Sequence, residues 1–130
     1  MINTKIVRSD DDEGFNEAAC ALRNGKLVAF PTETVYGLGA DAFNVKAVEN
    51  IFKVKGRPMD NPLIVHIASI EGIYELVSNV PDVAKKLMDK YWPGPLTLVM
   101  PKSHKVPYEV TAGLDTVAIR MPNHKVALRL

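Results

Sequence analysis

The chain contains little cysteine, few aromatic residues and almost no net charge. Its single cysteine, Cys20, cannot form a disulfide within the chain, and no cysteine–histidine cluster exists that would bind zinc. Aromatic residues make up 7% and the net charge is +1, so neither a stacking surface nor a global positive field for nucleic acid is indicated. No apolar run is long enough to cross a bilayer and no signal peptide precedes the first charged residues, so we expect a cytoplasmic protein without membrane contact.

Common ligand-binding and nucleophile motifs are absent as well. The sequence has no G-x-x-x-x-G-K-[ST] loop, no G-x-G-x-x-G after a strand and no serine nucleophile elbow. The histidines, His66, His104 and His124, are scattered, so no metal site is predicted. Because the net charge is small, any basic site must be local.

Apolar periodicity predicts five strands and five helices in one domain. The predicted strands are Lys5–Arg8, Leu27–Phe30, Leu63–Ile67, Leu96–Met100 and Thr116–Met121. The predicted helices begin at cap or first-turn residues in or near Ser9–Asp12, Asn44, Ser69, Pro81 and Asn123. This alternation predicts an α/β fold in which some neighbouring strands run antiparallel.

Two features near the end of the sequence lead to further expectations. Lys102–Gly113 is interpreted as a long polar connection that is mobile or covers a ligand. The chain stops soon after its last predicted helix begins, which leaves that helix little to pack against. We therefore expect residues 1–130 to be one domain that is truncated at its C-terminal end.

The segment K-V-K-G-R-P-M-D-N-P-L-I-V-H-I, residues 53–67, is the most unusual in the chain. Lys53, Lys55 and Arg57 stand at alternate positions around Gly56, which lets the backbone approach an anion while cationic side chains reach round it. A short predicted strand follows and presents His66. The pattern predicts a phosphate-binding loop, and the alternatives are a solvated basic face or cations that balance the dipole at a helix end.

A second unusual stretch is F-P-T-E-T-V-Y-G-L-G, residues 30–39. It groups Thr32, Glu33, Thr34 and Tyr36 between a proline and two glycines, at the end of a predicted strand. Hydroxyl groups and a carboxylate in such a position suit the recognition of a small polar ligand. The alternative is a loop whose threonine and glutamate cap the next helix.

Four motifs in order cover nearly the whole chain. They are F-P-T-E-T-V-Y-G-L-G, K-G-R-P-M-D-N-P-L-I-V-H, W-P-G-P-L-T-L-V and T-V-A-I-R-M-P. Together they resemble the YrdC-like threonylcarbamoyl-AMP synthase family. The resemblance implies a twisted mixed sheet, flanked by helices, around a basic cavity. It also implies synthesis of L-threonylcarbamoyladenylate and pyrophosphate from L-threonine, bicarbonate and ATP with Mg²⁺, for threonylcarbamoyladenosine modification of tRNA with partner proteins.

The resemblance assigns roles to individual residues. The implied nucleotide contacts, mainly to the ATP phosphates, are Lys55, Arg57, Asn61 and Thr116. The implied threonine contacts are Thr34, His66 and Arg120. Tyr36 is expected in the same wall of the implied threonine pocket. The implied catalytic residues are Lys55, Arg57 and His66. His66 is either a base that deprotonates the threonine amine or a neutral hydrogen-bonding group.

The sequence also departs from the family pattern. Family members carry a further Ser-x-Asn motif downstream of the position that matches Arg120, and this chain ends before it. Part of the implied threonine and ATP sites is therefore missing. The competing hypotheses are an RNA-binding module, a related domain that uses carbamoyl phosphate, and an inactive fragment of the synthase.

Overall fold

The computed structural model describes residues 3–130 as a mixed α/β fold. The helices are α1 (Asp12–Arg23), α2 (Val45–Lys55), α3 (Asp82–Tyr91), α4 (Tyr108–Thr111) and α5 (Lys125–Arg129), with a 3₁₀ helix at Ile70–Glu75. The strands are β1 (Val28–Phe30), β2 (Gly37–Gly39), β3 (Ile64–His66), β4 (Leu98–Pro101) and β5 (Thr116–Arg120). No helix in this part of the chain is long and apolar enough to cross a membrane.

The strands form two small sheets. In one, β1 and β2 pair antiparallel. In the other, β5 lies between β3, to which it is parallel, and β4, to which it is antiparallel. The α/β prediction with mixed strand directions is confirmed. The parallel register sets His66 directly beside Arg120, on the sheet face opposite to the buried Val65 and Ile119, because side chains alternate along a strand.

The hydrophobic core lies on the Val65 and Ile119 face of the three-stranded sheet. Apolar side chains at helical spacing supply it, including Val48 and Phe52 from α2 and Met88 from α3. Each such side chain contributes about 1.5–3 kcal/mol when it is fully buried. The core therefore fixes one face of the sheet, and the opposite face carries the polar residues at the strand ends.

The helices α1, α2 and α3 agree with the sequence-based expectation, whereas the helix expected after Ser69 is a 3₁₀ helix that Ser69 does not cap through its side chain. Asp11 caps α1 by accepting from the N–H of Glu13 at 3.1 Å. Asn44 caps α2 by accepting from the N–H of Ala47 at 3.1 Å. Pro81 precedes α3, at the boundary where its missing N–H has no cost.

Two predicted elements are wrong. Residues 5–8 form no strand and pair with no strand among residues 3–130, and Ile6 is 91% exposed. The segment Lys102–Gly113 is not a polar cover, since it buries Val106 and Val110 in the core and contains α4. Because most residues of this segment are polar, the sequence pattern does not indicate that these two valines are buried.

The last helix and one strand also differ from expectation. The α5 cap is His124, whose Nδ1 accepts from the N–H of Val126 at 3.1 Å, while the N–H of Asn123 bonds elsewhere. The strand β2 was not predicted, because Gly-Leu-Gly lacks the β-branched and aromatic residues typical of strands.

Candidate active site

The C-terminal end of α2 orients the basic segment. Gly56 ends the helix with a left-handed φ of +60°, and the chain then turns at Arg57. The guanidinium of Arg57 donates to the carbonyl of Pro62 at 3.3 Å. Lys53 and Lys55 lie in the last turn of α2, where a positive charge offsets the helix dipole. The interpretation of these two lysines as cations at a helix end is therefore correct in part.

A cavity of about 600 Å³ opens beside this segment. Its charged and titratable lining residues are Asp41, Lys55, Arg57, His66 and Glu75. Lys53 does not line the cavity, so the three alternating cations separate into two that face it and one that does not. A cavity of this size is typical for small-molecule sites and accepts a ligand as large as a nucleotide.

The loop between β1 and β2 is held by Thr32. Its hydroxyl donates to the carbonyl of Val35 at 2.6 Å and accepts from the N–H groups of Thr34 and Val35, each at 3.2 Å. The helix-capping alternative is wrong, because Asn44 caps α2 and the carboxylate of Glu33 bonds elsewhere. The loop is instead a rigid turn that carries Glu33 and Thr34.

Arg120 is the centre of a polar cluster at the end of β5. Its side chain is 11% exposed. Its Nε donates to the carbonyl of Gly94 at 3.0 Å, its Nη1 donates to the hydroxyl of Thr34 at 3.4 Å, and its Nη2 pairs with one oxygen of Glu33. The other oxygen of Glu33 accepts from the N–H of Asn123 at 2.7 Å. These contacts compensate a buried charge and join three distant segments of the chain.

The turn W-P-G-P brings the Gly94 carbonyl to this cluster. The N–H of Gly94 donates to the carbonyl of Met121 at 2.8 Å, and the indole N–H of Trp92 donates to the carbonyl of Leu96 at 2.8 Å. A Cβ atom on Gly94 would lie 2.5 Å from the carbonyl oxygen of Tyr91. Only glycine fits at this position without a backbone shift.

His66 lies between the cavity and the Arg120 cluster. It lines the cavity, it stands beside Arg120 in the sheet, and its ring contacts the ring of Phe30 edge-on at 5.8 Å. Although part of the residue faces solvent, burial of the imidazole lowers the pKa of His66, and the positive charge of Arg120 lowers it further. A backbone hydrogen bond at Ile64 and the charge of Glu33 oppose this shift of the pKa. Burial and the charge of Arg120 thus favour the neutral form of the imidazole.

Comparison with known proteins identifies the family. The Sua5/YciO/YrdC family model, described as "Telomere recombination", matches residues 20–130. The chain belongs to the Sua5/YciO/YrdC family. The family resemblance inferred from the four sequence motifs is thereby confirmed.

Relatives within the Sua5/YciO/YrdC family are closely similar in sequence and structure. The threonylcarbamoyl-AMP synthase of Pyrococcus abyssi is 61% identical over 113 residues, which is 87% of this chain and 33% of the relative. The threonylcarbamoyl-AMP synthase of Bacillus subtilis is 55% identical over 123 residues, which is 94% of this chain and 36% of the relative. The crystal structure of P. abyssi Sua5 complexed with L-threonine has a TM-score of 0.89 and 54% identity, covering 96% of this chain and 36% of that one. The chain thus spans about a third of the length of these relatives.

The structure brings together five of the residues expected from the family resemblance. The residues at the cavity are Lys55, Arg57 and His66, and those in the polar cluster are Thr34 and Arg120. His66 lines the cavity and lies beside Arg120 in the sheet, so it is adjacent to both groups. The cavity and the polar cluster therefore lie side by side at the ends of the neighbouring strands β3 and β5.

Three other expected residues lie outside these groups. Asn61 is exposed and does not line the cavity. Thr116 is exposed at the opposite end of β5 from Arg120, roughly 13 Å away along the strand. Tyr36 is 76% exposed and lines a smaller cavity of about 180 Å³. The ligand contacts of these residues stay predictions.

The sequence did not reveal the partners of Arg120. Glu33 was noted only as a member of a polar loop, yet it pairs with a residue 87 positions away. The carbonyl of Gly94 and the N–H of Asn123 are backbone groups, which no residue type indicates. The only available signal was a glutamate among small hydroxyl residues in a loop otherwise lacking charge.

Proposed function

We propose that this chain carries the phosphate-binding loop and part of the threonine site of a threonylcarbamoyl-AMP synthase. That enzyme forms L-threonylcarbamoyladenylate and pyrophosphate from L-threonine, bicarbonate and ATP. The observation that carries the proposal is the position of His66, which lines the same cavity as Lys55 and Arg57 and stands beside the buried Arg120 in the sheet. The names of the Pyrococcus and Bacillus relatives support it.

Lys55 and Arg57 would hold the phosphates of ATP. Both line the cavity, and Lys55 forms no ion pair with any residue in the range 3–130. A guanidinium binds phosphate through forked hydrogen bonds, each contributing about 1.5–3 kcal/mol when charge-assisted. Asn61 and Thr116 would add further nucleotide contacts.

Mg²⁺ would enter as part of the substrate, bound to ATP. In the part of the chain that the structure describes, no group of three or more His, Cys, Asp or Glu side chains is arranged to hold a metal ion. Mg²⁺ commonly retains water ligands and binds through substrate phosphates, which requires no such group. We assign no step of the reaction to a protein-bound metal.

Arg120, Thr34 and His66 would bind threonine. Arg120 has five N–H groups, and its three described contacts leave two for a carboxylate. The complex of P. abyssi Sua5 with L-threonine supports an amino-acid ligand. The neutral imidazole of His66 is able to accept a proton from the threonine amine or a hydrogen bond from it.

The reaction requires mainly positioning and charge stabilisation. The threonine nitrogen bonds to the carbon of bicarbonate with loss of water, and an oxygen of the resulting carbamate attacks the α-phosphorus of ATP. The bond from the α-phosphorus to the bridging oxygen breaks, and pyrophosphate leaves. Lys55 and Arg57 would stabilise the charge that develops on the phosphates. The product would then serve tRNA modification in the cytoplasm, together with partner proteins.

Pyrophosphate release from ATP tests the proposal. We expect release that requires both L-threonine and bicarbonate, and we expect Arg57→Ala to slow it about tenfold or more while Lys53→Ala does not. Pyrophosphate release that is the same with and without L-threonine would contradict the proposal. If the chain releases none, a longer protein that includes the downstream Ser-x-Asn motif should be assayed, and failure there would reject the synthase assignment.

The two roles considered for His66 are separable by a pH profile. A general base gives an acidic limb in the rate, which disappears in His66→Gln because glutamine does not titrate. An acidic limb that is unchanged in the variant would reject the base role and leave the hydrogen-bonding one.

A further inference from the structure

Glu33 uses both of its carboxylate oxygens in the polar cluster. One oxygen pairs with Nη2 of Arg120, and the other accepts from the N–H of Asn123 at 2.7 Å. Its side chain is 24% exposed and that of Arg120 is 11% exposed, so the pair is largely shielded from solvent. The contact links the β1–β2 loop to the turn between β5 and α5.

The carboxylate of Glu33 beside Arg120 is compatible with two opposite roles of Glu33 in ligand binding. In one role Glu33 is an internal competitor, which occupies the place of a ligand carboxylate. In the other it is a partner that stays and orients the guanidinium. The competitor must leave before a ligand binds. The orienting partner must stay, and the ligand then uses the N–H groups that remain.

The neighbouring contacts favour the orienting role. Arg120 is held at three points, by Glu33, by the hydroxyl of Thr34 and by the carbonyl of Gly94. Glu33 and Thr34 are adjacent in a turn that Thr32 closes, so this one turn presents two of the three partners of Arg120. Two of the five N–H groups of Arg120 carry no hydrogen bond to residues 3–130 while all three contacts persist.

We propose that Glu33 is a positioning residue that holds Arg120 and the Thr34 loop in the arrangement that binds the carboxylate of threonine. The inference rests on the proposed function, because threonine is the ligand assigned to Arg120. A guanidinium fixed in advance loses less freedom on binding, so the ligand gains affinity. Glu33 itself does not touch the ligand.

The test compares Glu33→Gln with Glu49→Gln in the full chain. Glutamine keeps an acceptor for the N–H of Asn123 but removes the charge that holds Arg120. Glu49 is an exposed glutamate on α2 and is the matched control. The measurements are L-threonine affinity by calorimetry, thermal melting, and NMR hydrogen exchange of the Arg120 Nε–H, assigned from the spectrum of Arg120→Lys.

We expect Glu33→Gln to weaken L-threonine binding about tenfold, the effect of losing one charge-assisted hydrogen bond. The Arg120 Nε–H should exchange faster in this variant, and Glu49→Gln should match the wild type in both measurements. A purely structural loss would lower the melting temperature without a selective change at Arg120. If Glu33→Gln does not fold, Glu33→Asp, which keeps the charge on a shorter side chain, should show the same two changes to a smaller degree.

Other results would overturn the proposal. Unchanged threonine binding in Glu33→Gln would mean that Glu33 has no role in binding. Tighter binding would mean that Glu33 competes with the ligand carboxylate. Equal exchange of the Arg120 Nε–H in wild type and variant would show that Glu33 does not hold Arg120. Absence of threonine binding by the wild type and by a longer protein that includes the Ser-x-Asn motif, with exchange still accelerated in Glu33→Gln, would reject the proposed function while retaining the role of Glu33 in ordering Arg120.

Discussion

The basic loop and the Arg120 cluster use cations in different ways. In the loop, Lys55 is exposed, and Arg57 makes one hydrogen bond at 3.3 Å, to a backbone carbonyl. In the cluster, Arg120 is buried, and each of its three nitrogens has a protein partner. The loop cations therefore contribute little to folding, while Arg120 is part of the hydrogen-bonded interior.

This difference separates binding from stability. An exposed cation loses little when it is removed, since its interactions in the free protein are mainly with water. A buried ion pair that loses one partner leaves the other charge uncompensated, which is costly. Variants in the two regions should therefore differ in whether they lower ligand affinity alone or affinity together with stability.

The largest effect is expected for Arg120→Met. Methionine fills similar space but leaves Glu33 and the Gly94 carbonyl without their partner, so we expect a loss of about 2 kcal/mol in the free energy of unfolding. Threonine affinity should fall about a hundredfold, because a paired charge is lost. Chemical denaturation and calorimetry measure the two effects.

Arg8→Met is the control for Arg120→Met. Arg8 pairs with Asp10 on the surface, where both side chains are more than two-thirds exposed, at 83% and 70%. Its replacement should change stability by less than about 0.5 kcal/mol. Equal losses in the two variants would remove the distinction between a buried and an exposed cation.

The second prediction compares one glycine from each region. In Gly94→Ala the new Cβ would approach the Tyr91 carbonyl oxygen to 2.5 Å, so the turn must move, and we expect a cost of about 2 kcal/mol. In Gly56→Ala no atom lies within 4 Å of the Cβ, and only the left-handed φ of +60° opposes alanine, which costs about 1 kcal/mol. Thermal melting of both variants tests the order.

Ligand binding should separate the same glycine variants. Gly94→Ala displaces the carbonyl that holds Arg120 and should weaken threonine binding, while Gly56→Ala should weaken ATP binding. The reverse pattern would contradict the assignment of the two regions to the two ligands.

The third prediction concerns the basic loop alone. Arg57→Ala should lower ATP affinity about tenfold, since one charge-assisted contact contributes about 1.5 kcal/mol, and should leave the melting temperature unchanged. Lys53→Ala is the matched control, because Lys53 is exposed in the preceding helical turn but does not line the cavity. Equal losses of ATP affinity would indicate general electrostatic attraction instead of a defined site.

The smallest effect is expected for the titration of His66. Its pKa in the folded protein lies below the value of about 6.5 in the unfolded chain, first because of burial and then because of Arg120. The folded protein therefore binds fewer protons, so this contribution to stability is complete above pH 6.5 and is lost as the pH falls toward the folded pKa. NMR titration of the imidazole measures the pKa directly.

The titration also links the two regions. The charge of Glu33 raises the pKa of His66, so Glu33→Gln should lower that pKa further. A pKa of His66 at or above 6.5 in the wild type, or an increase in Glu33→Gln, would contradict this account of its surroundings.

Local pattern predicted the helices well and the strands in part. The helices α1, α2 and α3 were predictable because their apolar residues recur every three or four positions and Asp11 and Asn44 supply caps. The strand β2 was not, because its Gly-Leu-Gly sequence pairs with β1 through backbone groups that carry no residue signature. The polar segment before β5 was misinterpreted because two buried valines lie among its charged residues.

The candidate site was predictable where the side chain itself carries the chemistry. Lys55, Arg57 and His66 were identified by residue type and resemblance, and all three line one cavity. Glu33 was not identified as the partner of Arg120, because a contact between positions 87 residues apart depends on the tertiary fold. A single sequence contains no direct record of such a pairing.

The arrangement of β5 has a consequence for strand pairing. Val117 and Ile119 alternate along this central strand with side chains of the opposite face, and Arg120 lies on that face at the strand end. A slip of one residue against β3 would turn the two apolar residues toward water and direct the guanidinium into the hydrophobic interior. Misaligned pairing would thus bury a charge without its counter-ion. The arginine therefore disfavours the wrong register of the sheet.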